Sequence, residues 1–331
     1  MSDLDFDVIG IGNAIVDVLS HSDDGFLSEH GLTKGGMALI DASQADKLYE
    51  KMGPGVECSG GSAANTIACL ASLGAKGAFI GKVKDDGLGK IFAHDIKAAG
   101  VDFASPLATD GPSTARCLIL VTDDAQRTMN TFLGACVNLG PDDIDADYIA
   151  RGAVTYLEGY LWDPDHAKEA FLKASMAAHK ADRQVALSLS DAFCVDRHRK
   201  SFQDLVKHHV DILFANEDEI KSLYEVDTFD AALQCVRDQC SVAALTRGEK
   251  GSVIIAGNEI HVVDCEPVEN VIDTTGAGDA YAAGFLFGYT KEFDIGTCAR
   301  LGSICSAEVI SHYGARPEVN LGELAGSKIT K

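Results

Sequence analysis

Short apolar runs alternate along this chain with longer stretches in which apolar residues recur at helical spacing, and that alternation predicts its layers. The runs Ala78–Val83, Ala153–Leu157, Val185–Leu189, Val210–Phe214 and Val242–Thr246 are β-rich. Leu88–Ala99, His166–His179 and Phe202–His208 carry the helical pattern between them, and the small, apolar residues of Ser62–Leu73 predict a buried helix. A strand that is apolar at nearly every position is covered on both faces, as in a mostly parallel sheet with helices packed on each side. The fold class that follows is α/β with three layers, opened by a short strand at Asp7–Gly12.

Two stretches break this alternation. Ile15–Leu19 and Met37–Ile40 read as strands with no helix between them, only an acidic loop at Asp23–Gly25. Ala115–Val121 and Arg127–Leu133 read as a hairpin joined by Asp123-Asp124-Ala125-Gln126. Pairing of the two stretches would give a small β-sheet lid, drawn from about 14–42 and 113–135, on a single domain covering 1–331. No repeat, low-complexity tract or linker divides the chain.

With 46% hydrophobic and 24% charged residues over 331 positions, the composition is that of an ordinary globular protein, neither disordered nor fibrous. The charge changes the picture more. Lys and Arg number 28 against 50 Asp and Glu, a net charge of -22, which repels a phosphate backbone and makes nucleic acid and anionic membrane poor partners. An anionic ligand must therefore be held by local donors against the long-range field. The ten cysteines include no C-x-x-C pair, the pattern of a reduced protein with buried thiols. No apolar run approaches the ~18 residues of a membrane span, and Met1 to Asp5 lack the basic residues of a signal peptide, so a cytoplasmic location is expected.

Several glycine motifs invite a nucleotide. Gly10-Ile11-Gly12 follows a strand, but the third glycine of a dinucleotide fingerprint would fall at Ile15, which argues against a nicotinamide oxidoreductase. The G-x-x-x-x-G-K-[ST] of a P-loop is absent, and Gly60-Gly61-Ser62 lacks the last glycine of a nucleophile elbow, where Ala64 stands. The strongest signal is Asp273-Thr274-Thr275-Gly276-Ala277-Gly278-Asp279 before the helical run Ala280–Tyr289. Its glycines let backbone N–H groups converge at a helix start, where unpaired donors and the helix dipole favour an anion. Asp279 is then either a helix-capping acid or a base that takes a proton from a hydroxyl attacking the phosphate held there.

The remaining candidates are individually weaker. Gly60, Gly61 and Asn65 precede a helix, as a simple turn or as a close approach to a ligand; Asn13 and Asp17 could hold a pair of sugar hydroxyls or serve as turn and surface residues. Asn216-Glu217-Asp218-Glu219 is either an acidic helix start or a place where Asn216 and Glu219 order waters around Mg2+. Thr246-Arg247-Gly248 is a hairpin turn or a nucleotide wall.

Taken in order, G-N-x-x-x-D, G-G-x-x-x-N, N-x-x-E, T-x-G and D-T-x-G-A-G-D resemble the ribokinase-like carbohydrate kinase family, also called the PfkB family, over nearly the whole chain. The resemblance implies a ribokinase-like α/β/α fold with a lid. It also implies an ATP- and Mg2+-dependent transfer of phosphate to a primary hydroxyl of a ribose-containing acceptor. The three-residue gap between Asn13 and Asp17 and the stretch Arg127-Thr128-Met129-Asn130-Thr131 are similar to the adenosine-kinase form, so adenosine is the acceptor expected first, ahead of another sugar or of a non-catalytic nucleotide-binding role. By the same resemblance Asn13, Asp17, Gly60, Gly61, Asn65, Met129 and Thr131 border the acceptor. Asp279 is the base, Gly276, Ala277 and Gly278 with Arg127 stabilise the transferred phosphoryl group, and Asn216 and Glu219 organise Mg2+ through water. Asn216, Thr246, Gly248, Thr275 and the region Cys305–Val309 border ATP, with a monovalent cation such as K+ near the carbonyls of Asp273 and Thr275. In Gly159-Tyr160-Leu161-Trp162 the resemblance puts Leu161 where a purine-stacking aromatic would stand, with Tyr160 and Trp162 as substitutes. A monomer or a homodimer is compatible with a lid of this kind.

Overall fold

The computed structural model describes residues 4–124 and 126–329. The expected turn at 123–126 includes Ala125, and the chain start includes residues 1–3, which lie outside the described residues. The strands are β1 (Phe6–Ile11), β2 (Ile15–His21), β3 (Met37–Leu39), β4 (Gly55–Gly60), β5 (Gly77–Ile80), β6 (Ala115–Val121) and β7 (Arg127–Phe132). They continue with β8 (Gly152–Glu158), β9 (Gln184–Ser188), β10 (Ile212–Asn216), β11 (Val242–Thr246), β12 (Ser252–Ala256) and β13 (Glu259–Val263).

The main sheet runs β13-β12-β11-β10-β9-β8-β1-β5, parallel from β5 to β11 and antiparallel at β12 and β13. Alternation along its strands sorts residues into two cores. Val154, Tyr156, Ala186, Ile212 and Phe214 face the helices Ser62–Ser72, Ala277–Thr290 and Ile295–Val309. Leu157, Val185, Leu187, Leu213 and Ala215 face Asp165–Lys180, Ala192–His209 and Glu217–Tyr224. This is the three-layer α/β/α arrangement, and it leaves the carboxyl ends of β1, β8, β9, β10 and β11 on one rim, where open parallel sheets bind ligands. Among the described residues no helix is long and apolar enough to cross a membrane.

A second sheet, β3-β7-β6-β2-β4, forms the lid. Val16, Val18, Leu118 and Leu120 pack one of its faces against Leu27, Leu48, Phe92 and Ile96. The opposite face carries a row across all five strands, Leu39, Thr131, Cys117, Asp17 and Cys58. The sheet thus takes in β4 as well as the two stretches named from sequence.

Three local expectations change. Asp23–Gly25 is not a loop, because Asp23 Oδ1 accepts the Phe26 N–H at 2.7 Å and starts the helix Asp24–Glu29. A second helix, Ala42–Tyr49, is closed by reciprocal hydrogen bonds between Asp41 and Gln44, so helices do intervene between the lid strands. The helix expected at Phe202–His208 begins earlier, at Ala192, where Asp191 accepts from the N–H groups of Phe193 and Cys194.

Candidate active site

Two glycine-led helix starts meet at one carboxylate. Gly276 has φ +78° before the helix Ala277–Thr290, and a Cβ there would come within 2.6 Å of Ala315, so both backbone conformation and space require glycine. Gly61 has φ +100° before Ser62–Ser72, and a Cβ would overlap the Asn13 carbonyl oxygen. A Cβ at Gly278 would meet nothing within 4 Å, so this backbone faces open space. Asp279 makes no cap to its own helix. It accepts instead from Ser62 Oγ at 2.6 Å and from Asn65 Nδ2 at 3.4 Å on the neighbouring one. The helix-capping reading of Asp279 fails on that geometry. Burial pushes its carboxyl up to about 6, against the hydrogen bonds from Ser62 and Asn65 and the Arg316 charge.

Among the residues expected to border the acceptor, Asn13 follows β1 and is 3% exposed. Its N–H and Nδ2 donate to Glu158 at 3.3 and 2.7 Å, while its Oδ1 is buried without a partner. Glu158, at the end of β8, also accepts the Ala63 N–H at 2.8 Å, and burial pushes its carboxyl up to about 7. Asp17 projects from β2 into the space left by Gly60, whose Cβ would overlap its carboxylate. Burial moves Asp17 to about 6, opposed by the charges of Arg316 and Arg127. Thr131 lies in the same cross-strand row, where its hydroxyl meets Cys117 Sγ at 3.2 Å; Met129 is on the same face of β7.

Arg127 is not a free cation. It pairs with Asp273 Oδ2 at 3.1 Å, each side chain 9% exposed, and lies over the Tyr313 ring. Burial would raise the Asp273 carboxyl, but N–H groups of Gly314 and Thr275, the Thr275 hydroxyl and the Arg127 guanidinium together hold it below the usual range. The lid is thereby tied to the anion-hole loop.

On the nucleotide side, Asn216 and Glu219 are taken up with each other. Asn216 N–H and Nδ2 donate to the two Glu219 oxygens at 2.9 and 2.6 Å, and Asn216 Oδ1 accepts from Asp218 and Glu219 N–H groups. Both Glu219 oxygens are occupied and the residue is 6% exposed, so Asn216 and Glu219 would hold Mg2+ only through water. No group of three or more potential metal-ligating side chains occurs among the described residues. Thr246 and Gly248 border a shallow cleft of about 280 Å³ that also exposes Arg247, Lys221 and Lys250. A groove of about 420 Å³ lies beside Ile272, lined by Val268, Asn270, Ile304, Ala307 and Glu308. Glu308 Oε2 is buried there with no partner, which fits a ligand bringing an N–H donor on a flat apolar body, as adenine does. Of the expected Cys305–Val309 region, Ala307 and Glu308 face this groove, whereas Cys305 and Val309 are fully buried in the core.

The stacking expectation also changes. Leu161 and Trp162 are core residues: Trp162 packs between Phe171 and Phe202 and donates to Ser201 at 2.9 Å. Tyr160 is the aromatic left at the cleft, 44% exposed and within the field of Asp191, Asp279 and Glu219. Two residues of the site, Glu158 and Arg316, escaped the sequence reading. The glutamate's one signal was its place at the end of a predicted strand next to Gly159.

A glycine-led helix start, a buried carboxylate, buried polar groups and a groove at one rim of the sheet are compatible with a phosphotransferase with an alcohol acceptor, the class to which the chain's family belongs. The chain belongs to the pfkB family of carbohydrate kinases, whose model matches residues 36–320. These kinases use ATP and Mg2+. A crystal structure of adenosine kinase from Sinorhizobium meliloti is 51% identical over 98% of this chain and 99% of its own, with a TM-score of 0.89. A probable sugar kinase from Rhizobium etli CFN 42 is 49% identical over 98% of each chain, with a TM-score of 0.90. An ATP-dependent ribose-1-phosphate kinase from Halopiger xanaduensis is 28% identical over 78% of this chain and 83% of its own.

Proposed function

We propose that this kinase transfers the γ-phosphate of ATP to the 5′-hydroxyl of adenosine, giving AMP and ADP. The observation that carries the reading is the lid face over the acceptor: Asp17 shares it with Ile15, Met129, Ile119 and Thr131, a polar anchor for a ribose beside an apolar roof for a base. The 51% identity to an adenosine kinase supports it.

In this mechanism Asp17 and the free Oδ1 of Asn13 accept hydrogen bonds from the ribose hydroxyls, and Gly60 and Gly61 let the backbone come close. Asp279, ionised at neutral pH since its carboxyl titrates near 6, accepts the 5′-hydroxyl proton as the oxygen attacks phosphorus. N–H groups of Ala277 and Gly278 receive the charge on the transferred phosphoryl group, and the Arg127–Asp273 pair, rather than a free Arg127 cation, holds the lid beside it. Thr246, Gly248, Thr275 and the groove beside Ile272 hold the nucleotide, whose Mg2+ neutralises phosphate charge. Asn65 steadies Asp279 throughout.

A second reading, an anionic sugar acceptor, is favoured by the two guanidiniums of Arg127 and Arg316 acting on Asp17. No basic residue neighbours Asn13 and Asp17 in sequence, but folding brings Arg127, paired with Asp273, and Arg316 into their field. ADP release with Mg-ATP over nucleosides, free sugars and sugar phosphates decides between them: adenosine should have the highest kcat/KM. A clear preference for ribose, fructose 6-phosphate or ribose 1-phosphate rejects the adenosine assignment and leaves the kinase assignment intact.

A further inference from the structure

Arg316 stands on the loop after the helix Ile295–Val309, next to the Ala315 that packs on Gly276. Its Nε donates to Asn65 Oδ1 at 2.9 Å, and its Nη2 donates to the Ser59 carbonyl and hydroxyl oxygens, both at 3.0 Å. Ser59 passes the contact on, donating to Asp95 Oδ2 through N–H at 2.7 Å and Oγ at 2.6 Å. Among the described residues Nη1 donates no hydrogen bond, and Arg316 forms no direct ion pair with a carboxylate.

The consequence lies in Asn65. The oxygen and nitrogen of an amide have nearly the same shape, so packing alone does not decide which way it faces. A guanidinium only donates, so Arg316 holds the Asn65 oxygen toward itself and turns Nδ2 toward Asp279 Oδ2, 3.4 Å away. With Ser62 on the other oxygen, both carboxylate oxygens of Asp279 are then engaged from one side. The Asp279 charge is also felt by Glu158, Glu219, Tyr156, Tyr160 and Cys69, and among the described residues Arg316 is the cation that lowers its proton affinity.

We propose that Arg316 is the positioning residue of the phosphoryl-transfer site, fixing Asn65 so that Asp279 is aimed at the attacking hydroxyl and offsetting the charge of Asp17 and Asp279 in one cleft. The inference rests on Asp279 being the base. It assigns Arg316 no contact with the acceptor.

The test compares kcat against pH for wild type, Arg316→Gln, Arg316→Lys and Asp279→Asn on the best acceptor of the panel. ATP affinity and melting temperature are measured on the same preparations. Glutamine removes the charge, so the acidic limb should move to higher pH by about one unit while the plateau falls roughly 10- to 100-fold with ATP affinity unchanged. Lysine keeps the charge but loses the planar fork, so the limb should stay and only the plateau fall. If glutamine leaves limb and plateau unmoved, or if the plateau falls only with the melting temperature while the limb stays, the proposal is overturned. Should the glutamine variant not fold, lysine decides: full wild-type kcat in Arg316→Lys overturns the fork. Asp279→Asn at wild-type kcat overturns the base and this inference together. A dead Asp279→Asn beside an unaltered Arg316→Gln overturns the role of Arg316 alone.

Discussion

A carboxylate that must ionise in a buried cleft destabilises the protein it serves. Asp279 shows the conflict, since its carboxyl is pushed up to about 6 by burial. A raised carboxyl proton affinity means that the folded state binds protons more tightly than the unfolded one, so stability is fully present below about pH 4 and is lost as pH rises through about 6. Asp279→Asn keeps the size but not the charge, so it removes the pH-dependent part of that cost while setting its amide nitrogen against one of the two donors, Ser62 or Asn65. The melting temperature of the variant relative to wild type should therefore rise by a few degrees between about pH 4 and pH 8, while kcat falls about 10²- to 10⁴-fold and ATP affinity holds. Parallel melting and turnover curves check this. Near wild-type kcat would remove Asp279 from the chemistry.

Among the elements, the glycines of the two helix starts should separate cleanly. Gly61→Ala puts a Cβ onto the Asn13 carbonyl oxygen at a φ of +100°, so it should cost about 1–3 kcal/mol and raise the acceptor KM by moving the Asn13 loop. Gly278→Ala meets no protein atom and sits in a helix, where alanine is the better former, so its melting temperature should hold or rise. If that open space is where the phosphoryl group passes, kcat should nevertheless drop at least tenfold. Normal turnover in Gly278→Ala would mean that nothing occupies it.

For the whole molecule, the lid joins the main domain through Arg127 and Asp273 and through Gly60-Gly61 at the end of β4. Ligands that fill the cleft should hold these contacts and exclude water from the transferred group. Hydrogen exchange in segments 15–39 and 115–132 should slow when adenosine and a non-hydrolysable ATP analogue are added together. Equal protection with and without them would rule out a moving lid.

The layer pattern and the glycine-led helix start at Gly276 were legible because both are local. Apolar runs such as Val185–Leu189 announce a buried strand whatever lies beside it, and Gly276-Ala277-Gly278-Asp279 carries its conformation and its donors within one turn. The chain alone therefore determined the α/β layers, four of the five lid strands and the glycine-led helix start that carries Asp279. Only the tertiary structure decided what surrounds that carboxylate. Glu158 reaches Asn13 across 145 residues and Arg316 reaches Asn65 across 251, and no spacing rule spans such distances. Tyr160, Leu161 and Trp162 are adjacent in sequence, but successive residues of a tight helical turn point to different sides, and packing on Phe171 and Phe202 drew Trp162 into the core. Hydrogen bonds and burial act through space, so a side chain's partners, and with them its charge state, are settled by which distant segments the fold brings together.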